Sequence, residues 1–254
     1  MPNADTERLM ALVEERTGYR VAVDTIDKCA GDAEMISAAP DHPFHLVRIA
    51  QNRLAGADYL VALQCTMLLS MWSHPLGIPK FRLIADKVAH VVRQAADCHG
   101  LARLSPALRE QTALQMVRGL LHQLQSTPAE LIGIDYCYRE CPSLRQLQVD
   151  ALTINLRFNT QSLKPDIKAF APSDVYEKNQ IMCAALARFW CDLTGTEAAW
   201  LPYKSIGVDT PAQGLLQKFR DATGSLGERS TNIVDAWADE LGLRGLYEWT
   251  YRPT

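Results

Sequence analysis

From residue 57 to residue 73 the chain is apolar on almost every side of a helix. Tyr59, Leu60, Val61, Leu63, Met67, Leu68, Leu69, Met71 and Trp72 are interrupted only by Asp58, Gln64, Thr66 and two serines among the larger side chains. A helix with no polar face has to be enclosed by other elements. It is not a membrane span, because residues 59–72 fall short of about eighteen apolar positions and include Gln64 and Ser70. The segment is therefore the centre of a core, and the rest of the chain must be layered around it.

A chain of 254 residues supplies enough material for one large domain or two small ones. Its 48% hydrophobic and 22% charged content is that of a folded globular protein and argues against disorder. The net charge is −3 and no run of five like charges occurs, which excludes a basic nucleic-acid-binding tail but leaves a local basic face open. Residues 1–15 are polar and hold four acidic side chains, unlike a secretory leader. These features predict a cytoplasmic protein with no membrane partner. Seven cysteines, an odd number without an export signal, predict free thiols.

Periodicity predicts a helix over 5–16 stopped by Thr17-Gly18, a strand over 19–26, a loop with a short helical turn over 30–41, a second strand over 43–50 and a turn over 52–56. Helices follow almost to the end. One opens at Pro79 and runs to 99. Ser105-Pro106 starts another that reaches 125, and Thr127-Pro128 repeats that signature for a short one through 137. Further helices are predicted over 143–158, 174–193, 211–222 and 230–241, with Ser230 as the last N-cap and a closing strand over 246–251. The fold class is α+β, predominantly α: a small N-terminal β element followed by a multi-helix bundle. The proline-rich break at 164–172 divides it into residues 1–163 and a helical extension, 173–254, packed on them as one unit. The 195–211 connection is long enough to cover a site or simply to run over the surface.

The core helix begins Ala57-Asp58-Tyr59-Leu60-Val61-Ala62 and continues Leu63-Gln64-Cys65-Thr66-Met67, after two strands and a short turn. That element order, over about residues 1–155, resembles the small zinc-peptidase domain of the IrrE/ImmA family. In that family an edge strand leads into a helix carrying His-Glu-x-x-His, whose histidines bind zinc and whose glutamate is the general base. A third ligand comes from a Glu-x-x-Ala pattern on a later helix. Here Leu63 and Met67 take the histidine positions and Gln64 the glutamate position. Gln148, in Gln148-Val149-Asp150-Ala151, takes the third. Leucine cannot bind zinc, a thioether binds it poorly, and neutral glutamine is no base. The resemblance thus implies a degenerate zincin-like domain, a pseudo-metallopeptidase with no metal and no cofactor. It also implies a role in bacterial regulation or defence, and it predicts that Leu63, Met67 and Gln148 converge in one pocket. The plainer reading of the same helix is a core helix, whatever its ancestry.

Other constellations are thinner. Cys137 and Cys141 share a helix face, but a structural zinc site needs four ligands and Cys98-His99 is the only other pair to draw on. Cys29, in a loop ahead of His42 and His45, is the most accessible thiol for a Cys–His dyad. Gly224 to Ser230 has the glycines of a phosphate loop without its Lys-Ser/Thr ending. Arg82, Lys87, Arg93, Arg103, Arg109 and Arg118 lie along two helices without forming a stripe. Trp237, Tyr247, Trp249 and Tyr251, with Trp200 and Tyr203 before them, suit either a partner surface or a small core. The sequence reads best as a non-catalytic interaction or scaffold subunit with a protein partner. A hydrolase with a Cys- or carboxylate-based site and a nucleic-acid-binding subunit are the alternatives.

Overall fold

The computed structural model describes residues 3–27, 31–39 and 41–253. Helix makes up 70% of the chain and strand 12%, so the fold is α+β and predominantly α. The first helix, α1 (Ala4–Thr17), starts where the Asn3 side chain accepts the Asp5 N–H. It ends at Gly18, whose φ of 75° lets its own N–H reach the Glu14 carbonyl. Three strands follow, β1 (Val21–Ile26), β2 (Ala33–Ile36) and β3 (His45–Ala50), in the order β1-β3-β2. β1 runs parallel to β3 and β2 antiparallel to it, with Met35 opposite Val47. β2 lies where the composition predicts a loop. Its four residues have little propensity of their own, and the ladder bonds to β3 supply the order.

A 3-10 turn, Gln51–Gly56, delivers the chain into α2 (Ala57–Trp72), which is buried on most sides as its composition requires. α1 lies alongside α2 and parallel to it, since Thr6 Oγ donates to the Asp58 carbonyl near the starts of both helices. By length and composition alone the stretch Gln51–Trp72 is long and apolar enough to span a membrane, and half of its most apolar window is buried within this fold.

Pro79 does not open a helix. It lies in β4 (Ile78–Leu83), which pairs antiparallel with the terminal strand β5 (Tyr247–Arg252), placing Phe81 opposite Trp249. α3 (Ala85–Ala96) follows. The two helices predicted on either side of Thr127 are one, α4 (Pro106–Glu140), 35 residues long with Pro128 inside it. An internal proline costs about 3 kcal/mol in lost hydrogen bonding and steric clash. Leu120, Leu121 and Leu124 before it and Leu131 and Ile132 after it are all buried, and each contributes about 1.5–3 kcal/mol. Packing on both sides therefore outweighs the break.

The chain continues through α5 (Arg145–Asn159), α6 (Pro165–Phe170), α7 (Ser173–Thr194), α8 (Leu201–Lys204), α9 (Asp209–Asp221) and α10 (Leu226–Glu240). α7 packs on α4, α10 packs on both α2 and α4, and β5 completes the ladder with β4. Residues 173–254 thus share the core of the preceding segment. The 195–211 connection is pinned inward by Trp200 and Tyr203, both buried and stacked on each other.

α10 begins earlier than Ser230. Ser225 is its N-cap, in a capping box in which Ser225 Oγ accepts the Glu228 N–H and the Glu228 carboxylate accepts the Ser225 N–H. Ser225→Ala should cost about 1 kcal/mol, read as a shift in the urea midpoint. An unchanged midpoint would show that the box adds nothing to the helix.

Candidate functional site

The α2 face at Leu63 is closed by α4. Leu63 is buried, and the backbone of Gly133 comes so close that a Cβ there would lie 2.6 Å from Leu63 Cδ1 and 2.7 Å from Thr66 Oγ. Thr66 turns its hydroxyl back to the Leu63 carbonyl at 2.7 Å. Gln64 and Met67 are half-buried. Gln148, on α5, is fully buried and donates from Nε2 to the Ile134 carbonyl at 2.9 Å. Its carboxamide meets α2 at Tyr59, whose phenol is held well above its ordinary range by burial. Tyr59 lies two turns, about 12 Å, along the axis from Met67. The convergence of Leu63, Met67 and Gln148 in one pocket, expected from the resemblance, is therefore not met, and the three line neither of the two grooves described below. The strand that leads into α2 is the central one of its sheet.

Tyr59 Oη and Gln148 Oε1 are both buried without a hydrogen-bond partner. Glu130 of α4 adds to this polar interior. It keeps some surface, yet neighbouring protein crowds its carboxyl. Burial first, and the charge of Asp32 second, push it up to about 7. Asp32 is itself held by Arg53 at 2.8 Å. The charge of Glu130 is felt by Tyr59 and by Cys183 of α7. Cys183 lies beside a chain of amides in which Gln123 Nε2 reaches its sulfur at 3.2 Å and Asn179 Nδ2 donates to Gln123 Oε1 at 2.6 Å. Sequence reasoning passed over Glu130. The signal was there, as the one charged side chain within Thr127 to Ile134.

Cys137 and Cys141 are buried one turn apart, their thiols on one side. The interaction between them raises the Cys137 thiol and lowers Cys141, which Arg8 also approaches at 3.5 Å. Among the described residues no three His, Cys, Asp or Glu side chains come together as a metal site. Cys29 lies outside the described residues. His45 is buried, its Nδ1 accepting the Ala38 N–H and its Nε2 facing Thr17 Oγ. Burial, and then Arg252, push it down to about 4. These bonds occupy both ring nitrogens.

Of the C-terminal aromatics considered for a partner surface, Trp237 and Tyr247 are buried, whereas Trp249 and Tyr251 are half-buried. Trp237 is fully buried and donates to the Leu215 carbonyl at 2.8 Å. Tyr247 is also buried. Its hydroxyl and the Trp249 indole both donate to Asp235 Oδ1, at 2.5 and 2.9 Å. Tyr251 stacks on His74. Asp235 explains the burial, because one carboxylate satisfies both polar handles and the rings are then free to pack. The basic residues make no uniform face. Lys87, Arg93, Arg103 and Arg118 are exposed, but Arg82 pairs with Glu248 and Arg109 is half-buried and donates to the Leu104 carbonyl.

Two grooves remain. One, about 360 Å³, is polar and holds Arg188 and Arg220, both paired to Asp192 at 3.0 and 2.7 Å. The other, about 440 Å³, is mainly apolar and runs between α1, α2 and α4. On α5, Leu147, Ala151, Ile154 and Phe158 recur at spacings of four, three and four and share one face, the first two partly buried against the core. Ile154 is 47% exposed and Phe158 73%. Leu54, 48% exposed, lies on the 3-10 turn that packs against the same helix. No family model, curated protein or solved structure matches this chain.

Proposed function

We propose that this protein is a non-catalytic interaction subunit, a degenerate zincin-like scaffold that works through a protein partner in a bacterial regulatory or defence assembly. The observation that carries the reading is the apolar stripe on α5. Phe158, nearly three-quarters exposed, and Ile154, one turn before it, leave apolar area in water that a partner would cover, on a face whose other members, Leu147 and Ala151, are partly buried against the core. The closed α2 face agrees with the non-catalytic part of this reading, while the zincin-like part rests on element order alone, since Gln148 lies against Tyr59 and not beside Met67. Where the resembled family holds its metal, Leu63 packs on Gly133 and Gln148 is bonded to the Ile134 carbonyl. The bacterial assembly rests on the family resemblance.

Affinity capture from the host, with and without nuclease, tests it against an Ile154→Asp/Phe158→Asp variant. Both positions are exposed, so the variant should keep its melting temperature within about 2 °C. The expected result is a partner that survives nuclease, is recovered at stoichiometric level by the wild type and is lost by the variant. Stoichiometric bound metal in the purified protein, or a partner retained by the variant, would overturn the reading. Loss of all partners on nuclease treatment would transfer it to nucleic-acid binding.

A further inference from the structure

The apolar groove has the makings of a ligand site. Three helices contribute pairs one turn apart: Leu12 and Arg16 from α1, Leu69 and the C-cap Ser73 from α2, Ile132 and Tyr136 from α4. Leu226, the first residue of α10, closes one end. The volume, about 440 Å³, lies in the range of small-molecule sites. From Thr66 to Ser73 the slot follows α2 for about 10 Å.

Its polar groups are few, the neutral ones being the hydroxyls of Thr66, Ser73 and Tyr136 and the indole of Trp72. Arg16 is the single charged residue on the lining, stands in the last turn of α1, and among the described residues has no ion pair or hydrogen bond. Trp72 lines the same groove, and its indole N–H is buried without an acceptor. The hydroxyls of Thr66 and Ser73 already donate to the carbonyls of Leu63 and Ser70, which fixes their orientation. No carboxylate lines the groove. A slot walled by leucine and isoleucine, with one unpaired guanidinium at its edge, complements a molecule with a narrow apolar body and one negative head.

We propose that this groove binds a medium-chain alkyl carboxylate, with Arg16 holding the head and Leu12, Leu69, Ile132 and Leu226 sheathing the chain. A single cation does not match the several charges of a nucleotide, and a slot of this length is too short for a long acyl chain to lie extended. The site is separate from the α5 stripe and stands whether or not that surface has a partner.

Calorimetric titration of the full chain with decanoate below its micelle threshold tests the proposal, with decanol as the uncharged probe. Decanoate should bind at one saturable site, about tenfold more tightly than decanol, as one charge-assisted contact at a partly exposed site allows. Arg16→Gln, at an exposed position, should bring the two affinities within about twofold of each other. Leu12→Trp should fill the slot and weaken both. Absence of saturable decanoate binding to the wild type, or decanoate affinity indifferent to Arg16→Gln, overturns the proposal. So does tighter, Arg16-dependent binding of a short peptide ending in leucine, which would make a chain terminus the occupant.

Discussion

Replacing Gly227 by alanine should destabilise the protein by about 3 kcal/mol, and valine by more, although each adds only methyl-sized groups. Gly227 lies in the first turn of α10, against the residue that leaves α2. A Cβ there would fall 2.5 Å from the His74 backbone nitrogen and 2.6 Å from its Cα. Flexible side chains can yield to such a clash, but this is main chain, and His74 is buried and stacked on Tyr251 of β5. The hydrogen bond from Ser70 Oγ to the Leu226 carbonyl, one residue away, leaves α10 no room to slide. Relief therefore requires α10 to lift from α2, loosening the end of the apolar groove and the β4–β5 ladder with it. For a chain of this size the loss corresponds to a fall in melting temperature of about 6–12 °C. Gly119→Ala supplies the control, because that glycine sits within α4 with nothing within 4 Å of its would-be Cβ. There alanine should stabilise, by about 0.5–1 kcal/mol, through helix propensity alone. Urea unfolding of the two variants side by side should thus show shifts of opposite sign; a Gly227→Ala protein as stable as wild type would mean that α10 is not seated as described.

The parts of this fold that could be read in the sequence are those whose cause is local. α2 follows from an apolar run with no polar face, and α1 from its amphipathic spacing and the glycine after Thr17. What escaped depends on distant partners. β4 resembles a helix start because Pro79 is a good first helical residue, and the strand that claims it, β5, lies more than 160 positions later. The break expected at Thr127-Pro128 vanished because burial on both sides of the proline outweighs its local cost. The start of α10 was legible, since Ser225 is followed three residues later by Glu228, but the flanking glycines suggested a loop.

The candidate site divides in the same way. The replaced positions at 63, 64, 67 and 148 are visible as residue types, whereas the approach of Gly133 to Leu63 and the pairing of Gln148 with Ile134 exist only in three dimensions. Trp237 and Tyr247 are the kinds of residue that serve a surface or a core equally well. Asp235, which accepts from both Tyr247 and Trp249, is what commits the cluster to packing. The apolar groove was invisible for a related reason: its lining is drawn from four helices, none of which carries more than a few of its residues.

Glu130 should make the stability of the protein fall as the pH rises from acid to neutral. An unperturbed glutamate titrates near 4.5, and in the fold burial and Asp32 push Glu130 up to about 7. Between those values the native state holds a proton that the unfolded chain has released, so raising the pH across the interval favours unfolding. Below about 4.5 both states are protonated and the effect is absent. Above about 7 both are ionised and the penalty is complete. Replacing Glu130 by glutamine keeps the shape and removes the charge. The variant should therefore match wild type at pH 4 and exceed it at pH 8 by about 2 kcal/mol, less than the full linkage value because the side chain keeps some contact with water. Burial sets the sign, and the neighbouring charges do not reverse it. Asp32 repels the ionised form even though Arg53 partly balances it, and no cation pairs with Glu130 among the described residues. Urea unfolding of both proteins at the two pH values checks this. A difference of the same size at pH 4 and pH 8 would mean that glutamine acts through packing, and that the Glu130 carboxyl is ionised in the fold at an ordinary pH.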